Sequence, residues 1–121
     1  MANDEINNLD IKRIEVIHNL IEASHIGRLK WDKLGSDTYY AQANAMAVRI
    51  NSAAHSSKAD RRINKLEIID SDGETLDSFS YISDAEGEIG KKLNQLLLTA
   101  IDSIGNERAR DLDRFLEDLR A

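Results

Sequence analysis

Apolar residues recur along this chain at two different periods, and the changes of period divide it into helix, sheet and helix. Ile6, Leu9, Ile14, Ile17, Leu20 and Ile21 return at helical spacing. Ile11 and Val16 widen that apolar surface beyond one narrow stripe. Asn3 or Asp4 caps this helix in one reading, and Asp10 caps a shorter helix from Ile11 in the other. In both, Gly27 ends it.

From residue 29 the period falls to two. Leu29–Leu34 is apolar at 29, 31 and 34 and reads as a short strand or the approach to one. Gly35-Ser36-Asp37 is a turn signal. Thr38–Ala43 and Met46–Asn51 read as a hairpin about Asn44-Ala45, with Met46, Val48 and Ile50 on one face. An Ala-rich helix over 41–50 is the competing reading, and the strict alternation of Met, Val and Ile weighs against it. Residues 51–60 are polar and read as a loop. Strands over 62–70 and 75–82 then form a second hairpin, closed by Asp70-Ser71-Asp72-Gly73. This is the clearest local signal in the chain, because Gly73 accepts the positive φ that such turns require. Leu66 and Ile68 share one face of the first strand, with Ile63 and Ile69 on the other. In the second strand Leu76 opposes Phe79 and Tyr81.

Ser83-Asp84-Ala85-Glu86 fits a capping box for the next helix. Ile89, Leu93, Leu96, Leu97, Ala100, Ile101 and Ile104 form its apolar stripe. Gly105-Asn106 marks a break or a kink. The last segment places Leu112, Phe115, Leu116 and Leu119 on one face, backed by Glu107–Arg110, Asp111–Arg114 and Glu117–Arg120 at i,i+3 spacing. The pattern therefore predicts one α+β domain over residues 1–121. Its sheet is an antiparallel meander of about four strands, with N-terminal and C-terminal helices packed on one face.

Composition narrows the function classes. The 121 residues are 41% hydrophobic and 31% charged, which suits a modest core with a well-solvated surface. No cysteine is present, so disulfides, thiolate catalysis and Cys-based metal sites are excluded. The acidic start lacks the basic and apolar regions of a secretory signal, and no apolar run reaches the length of a membrane span. The expected location is the cytoplasm, with no membrane partner. The net charge of −6 argues against nucleic acid. The one basic cluster, His55 to Arg62, reads as a solvated loop rather than a phosphate contact.

Candidate chemistry is sparse. Asp70-Ser71-Asp72-Gly73 has the look of a calcium loop. With Gly73 as sixth position, however, Ile68 stands where the first acidic ligand belongs and Ser78 is found five residues past Gly73. His18 and His25 lie two helical turns apart, too far for one metal ion without further ligands. His55 has no nucleophile-elbow serine to serve. No phosphate loop, dinucleotide fingerprint or paired-carboxylate site is present. The expectation is that the chain is not an enzyme and binds no cofactor or metal. Trp31, Tyr39 and Tyr40 form the densest aromatic cluster. They read either as one edge of the core or as a partner-binding patch.

The order helix, Gly-x-Leu-x-Trp (27–31), Asp-Thr-Tyr-x-Ala (37–41), Val-x-Ile (48–50), Leu-x-Ile-x-Asp-x-x-Gly (66–73), helix resembles that of small bacterial or phage-associated α+β proteins of unknown function. The resemblance spans most of the chain, rests on structural motifs, implies a compact domain with a meandering sheet, and carries over no functional residue. The functional expectation is a non-enzymatic protein–protein interaction module acting as a homodimer. Trp31, Tyr39, Tyr40, Leu112, Phe115 and Leu119 are its candidate contacts. The alternatives are an acidic accessory protein (a secretion-type chaperone, immunity protein or antitoxin) and a small-ligand binder with a pocket between sheet and helices.

Overall fold

The computed structural model describes residues 2–55, 58–83 and 87–121, with side chains from 8 to 54, 61 to 83 and 87 to 121. A helix α1 (Ala2–His25) leads into strands β1 (Trp31–Lys33), β2 (Thr38–Ala43), β3 (Met46–His55), β4 (Lys58–Ile69) and β5 (Thr75–Ile82). A long helix α2 (Glu88–Arg120) follows. The strands form one open antiparallel sheet in sequence order, β1-β2-β3-β4-β5.

Register explains which residues are buried. Side chains alternate across a strand, so directly paired residues share a face. Ile50 pairs with Leu66, and Leu66 with Phe79. On the same face Trp31 pairs with Ala41, Ala41 with Val48, and Val48 with Ile68. Trp31, Ala41, Val48, Ile50, Leu66 and Phe79 are all buried, in one cluster with Ile17 and Ile21 of α1 and Ile89, Leu93, Leu96, Leu97 and Ala100 of α2. The core is thus the layer between the helices and this face. Asn64, also buried, donates from its side-chain amide to Asn94 Oδ1 at 3.1 Å and ties β4 to α2. The opposite face carries Tyr40, Arg49, Glu67, Asn51, Lys65 and Ser80. It is largely polar, with Arg49 Nε 3.8 Å from Glu67 Oε1 across the β3–β4 pair.

Two turns depend on glycine. After α1, Gly27 has φ 79°, its amide donates to Ser24 O, and the Arg28 amide donates to Ala23 O. That pair of bonds is a Schellman motif, which satisfies carbonyls that the helix end would leave open. At the tip of β4–β5, Gly73 (φ 84°) donates to Asp70 O while the Asp70 amide donates to Glu74 O. This is a three-residue loop with its left-handed position at Gly73. Asp70 Oδ1 accepts from the amides of Asp72 and Glu74, so the acidic group of the turn is spent on backbone.

The structure revises several expectations. The sheet has five strands rather than about four, because Trp31–Lys33 completes its pairing with β2. Residues 51–55 and 58–60 are strand, not loop. Polar Asn51 and Ser52 are held by main-chain pairing to Lys65 and Asn64, and burial of the sheet outweighs their low strand preference. Helix α1 begins at Ala2, ahead of every candidate cap. Helix α2 begins at Glu88 with Gly87 as N-cap and no side-chain cap bond, later than a capping box at Ser83–Glu86 would start it. Residues 84–86 lie outside the described ones. Nor does Gly105 break α2. One glycine costs a helix about 1 kcal/mol relative to alanine, and the strong helix formers on both sides carry the segment through. Arg62, in the basic cluster, is a brace: its Nε donates to Ser52 Oγ and its guanidinium meets Asp37 Oδ1 at 3.2 Å.

Arg13 fastens α1 to the edge of the sheet. Its Nε and Nη2 donate to both oxygens of Asp77 at 3.0 and 2.9 Å, and its guanidinium lies 4.6 Å from the centre of the Phe79 ring. The hydrogen bonds from Arg13 hold the Asp77 carboxyl below its ordinary 3.8, against the opposing effect of burial. The same bonds raise Arg13 above its ordinary value. A depressed carboxyl stabilises the fold above its unfolded value and loses that contribution as pH falls through the folded value. Asp77→Asn is therefore expected to lower unfolding free energy at neutral pH by on the order of 1–3 kcal/mol. The difference from the parent should shrink as pH drops below about 3.8. Urea melts of the two chains at pH 7 and pH 3 measure both quantities, and an equal deficit at the two pH values would contradict this role.

Candidate interaction surface

Helix α2 is 33 residues long, about 50 Å at 1.5 Å per residue. Its buried positions end at Ala100, with Ser103 and Ile104 half-buried, and every residue from 105 to 121 is exposed. The C-terminal half thus extends past the body of the domain. Leu112, Phe115, Leu116 and Leu119 keep 45–67% of their surface exposed there.

These residues continue a longer line. Leu98 and Ile101 are also exposed, at 54% and 40%. At 100° per residue, positions 98, 101, 105, 108, 112, 115 and 119 fall on one side of α2. That side is about a third of a turn away from the core stripe of Ile89, Leu93, Leu96 and Ala100. Ile101 therefore belongs to the exposed line and not to the core, where its sequence neighbours place it. The spacing of alternating threes and fours is that of a coiled-coil seam. Gly105 and Arg108 are its non-apolar members.

A concavity lies on another side of the same helix. The end of α1 (Ser24, His25, Gly27) and the middle of α2 (Asp102, Asn106, Arg110) border an open groove of about 900 Å³. Its lining mixes cations and carboxylates. Among the described residues no three His, Cys, Asp or Glu side chains gather to hold a metal ion, and no helix is long and apolar enough to cross a membrane. His18 and His25 are both exposed. The side chain of His55 lies outside the described residues.

The aromatic cluster is not one patch. Tyr39 and Tyr40 are neighbours on a strand and must face opposite ways. Tyr39 is half-buried against the core, and Tyr40 sits on the polar face of the sheet. Trp31 is buried, its indole N–H donating to Ser24 Oγ at 2.8 Å, and Ser24 Oγ donating to Leu20 O at 2.7 Å. It anchors the end of α1 to β1 and is removed from the surface altogether. Of the six residues expected to meet a partner, Leu112, Phe115 and Leu119 come together on an exposed face; the aromatic three are dispersed. Leu98, Ile101, Gly105 and Arg108 were the members missed, and the alternating three–four spacing was the signal that would have found them.

Comparison with protein-family models, curated proteins and solved structures finds no match to this chain.

Because no side chain beyond residue 104 is buried, the double substitution Leu112→Asp and Phe115→Asp is expected to leave the body folded. The single tryptophan reports on this directly. Its emission is expected to be blue-shifted and weakly quenched by acrylamide in both the parent and the double variant. A red-shifted, readily quenched Trp31 in the variant would show that the overhanging segment supports the core after all.

Proposed function

We propose that the protein is a non-enzymatic protein–protein interaction module that acts as a homodimer through the C-terminal half of α2. The observation that carries this reading is the exposed line of Leu98, Ile101, Leu112, Phe115 and Leu119 on a helix that runs past its own core. Isolated helices of about 12–15 residues are marginal in water even with favourable sequences, so an unsupported segment of this length gains stability from a partner. An apolar stripe of this size is also costly to leave in water, at roughly 1.5–3 kcal/mol for each Leu or Phe that remains unburied. The aromatic trio contributes through Tyr40 at most, since Trp31 and Tyr39 belong to the body.

Sedimentation equilibrium at tens of micromolar, a concentration of order 10⁻⁵ M, is expected to give twice the chain mass of 13.6 kDa. Leu112→Asp with Phe115→Asp is expected to weaken association at least about 100-fold, the equivalent of two lost apolar contacts. A clean monomer for the parent chain under these conditions would refute the proposal.

A further inference from the structure

We infer that two copies of this chain pair as antiparallel helices over residues 101–119 of α2, with the two-fold axis passing through the seam level with residue 110. The inference rests on the homodimer reading and adds its orientation and register. Four features of the chain point to it.

The first is Arg108. It is the one charged residue on the line 98, 101, 105, 108, 112, 115, 119. In a parallel, in-register pair Arg108 meets its own copy at the centre of the seam, and two guanidinium groups are desolvated against each other. An antiparallel pair avoids this: with the axis level with residue 110, Arg108 faces Leu112 of the partner subunit, next to the partner's Asp111. A single polar seam residue fixes orientation in this way at some cost in stability.

The second is Gly105. Glycine weakens a helix interior, and among the described residues of the single chain nothing beyond its own helix backbone and chain neighbours lies within 4 Å of the position its Cβ would take. The fold of one copy therefore gives no reason for glycine here. In the antiparallel register Gly105 faces Phe115 of the partner subunit, the smallest seam residue against the largest. Ile101 then faces the partner's Leu119, and each apolar seam residue from 101 to 119 gains a facing residue.

The third is access. The groove beside α1 lies across the helix from the line: Ser103, Glu107 and Arg110 of its lining sit roughly half a turn from 101, 105, 112 and 119. Helix α1 therefore leaves the line open to a second helix. The fourth is the extent of the line, which begins where the core stripe ends and runs through the whole overhanging segment.

The absence of cysteine permits a direct test by single spin labels. Arg110→Cys and Glu117→Cys occupy equivalent outer positions one heptad apart. In the antiparallel pair the two copies of site 110 are level, whereas those of site 117 are offset by about 21 Å along the axis. Pulsed dipolar measurements are expected to give a clearly longer distance at 117 than at 110. Gly105→Ala is expected to raise the melting temperature of the dilute monomer while weakening the dimer about tenfold. Equal distances at the two sites, with a dimer present, would overturn the orientation and leave the homodimer reading standing. A Gly105→Ala dimer as tight as the parent would overturn the register. A chain that stays monomeric overturns both readings, and co-sedimentation of that monomer with phosphatidylcholine vesicles would assign the apolar line to a lipid surface.

Discussion

The fold turns on one cross-strand row, Ile50–Leu66–Phe79, buried beneath the two helices. Because side chains alternate along a strand, fixing these three residues inward fixes the facing of most of β3, β4 and β5. Asp77, two residues from Phe79, must then also face the helices. A carboxylate there needs a partner, and Arg13 of α1 supplies one while its guanidinium lies on the Phe79 ring. The row therefore determines both the hydrophobic layer and the polar contact that fastens α1 at the edge of the sheet. A slip of one residue in β4 would turn Leu66 out and bring the charged Lys65 and Glu67 into the apolar layer, where burying them is costly.

Much of this architecture was legible in the residues. The period-two runs at 46–50 and 62–69 carried their faces with them, and Gly27 and Gly73 marked ends that only a positive φ satisfies. Three features were not legible, each for a physical reason. Asn51 and Ser52 look like loop residues because strand preference measures fit to a half-buried surface, and their partners on β4 lie a dozen or more positions away. The three residues of β1 are too few to show a period. Gly105 reads as a stop because glycine is a helix weakener, yet the weakening is small beside the sum of favourable residues that surround it.

The surface was legible only in part, and the reason again lies in periodicity. Leu112, Phe115 and Leu119 stand out as an apolar face because, with Leu116, they are the large apolar residues of the last segment. Leu98 and Ile101 do not stand out, since they adjoin the core stripe in sequence and differ from it only by rotation about the helix axis. The distinction between a wide core face and two separate stripes needs the position of the sheet. Once Leu93, Leu96 and Ala100 are seen to be buried, Leu98 and Ile101 are left on a different side. The Trp31–Tyr39–Tyr40 cluster fails in the opposite direction: adjacency in sequence suggested a patch that strand alternation divides between two faces.

Helix α2 thus serves two layers at once. Its first half is a core element with an apolar stripe satisfied by the sheet and α1; its second half has a stripe of its own, turned away from both. A single amphipathic helix packed on one sheet needs only the first stripe, and a helix that merely ended the domain would stop near Ile104, where burial ends. Continuation for several more turns, with apolar residues held to alternating threes and fours and every charge but Arg108 kept to the other sides, is a pattern that packing within one copy does not require. The rotation between the stripes has a mechanical consequence. Because both lie on one continuous helix, the direction in which the second stripe faces is set by how the first is seated. The row Ile50–Leu66–Phe79 therefore orients the exposed seam as well as the core.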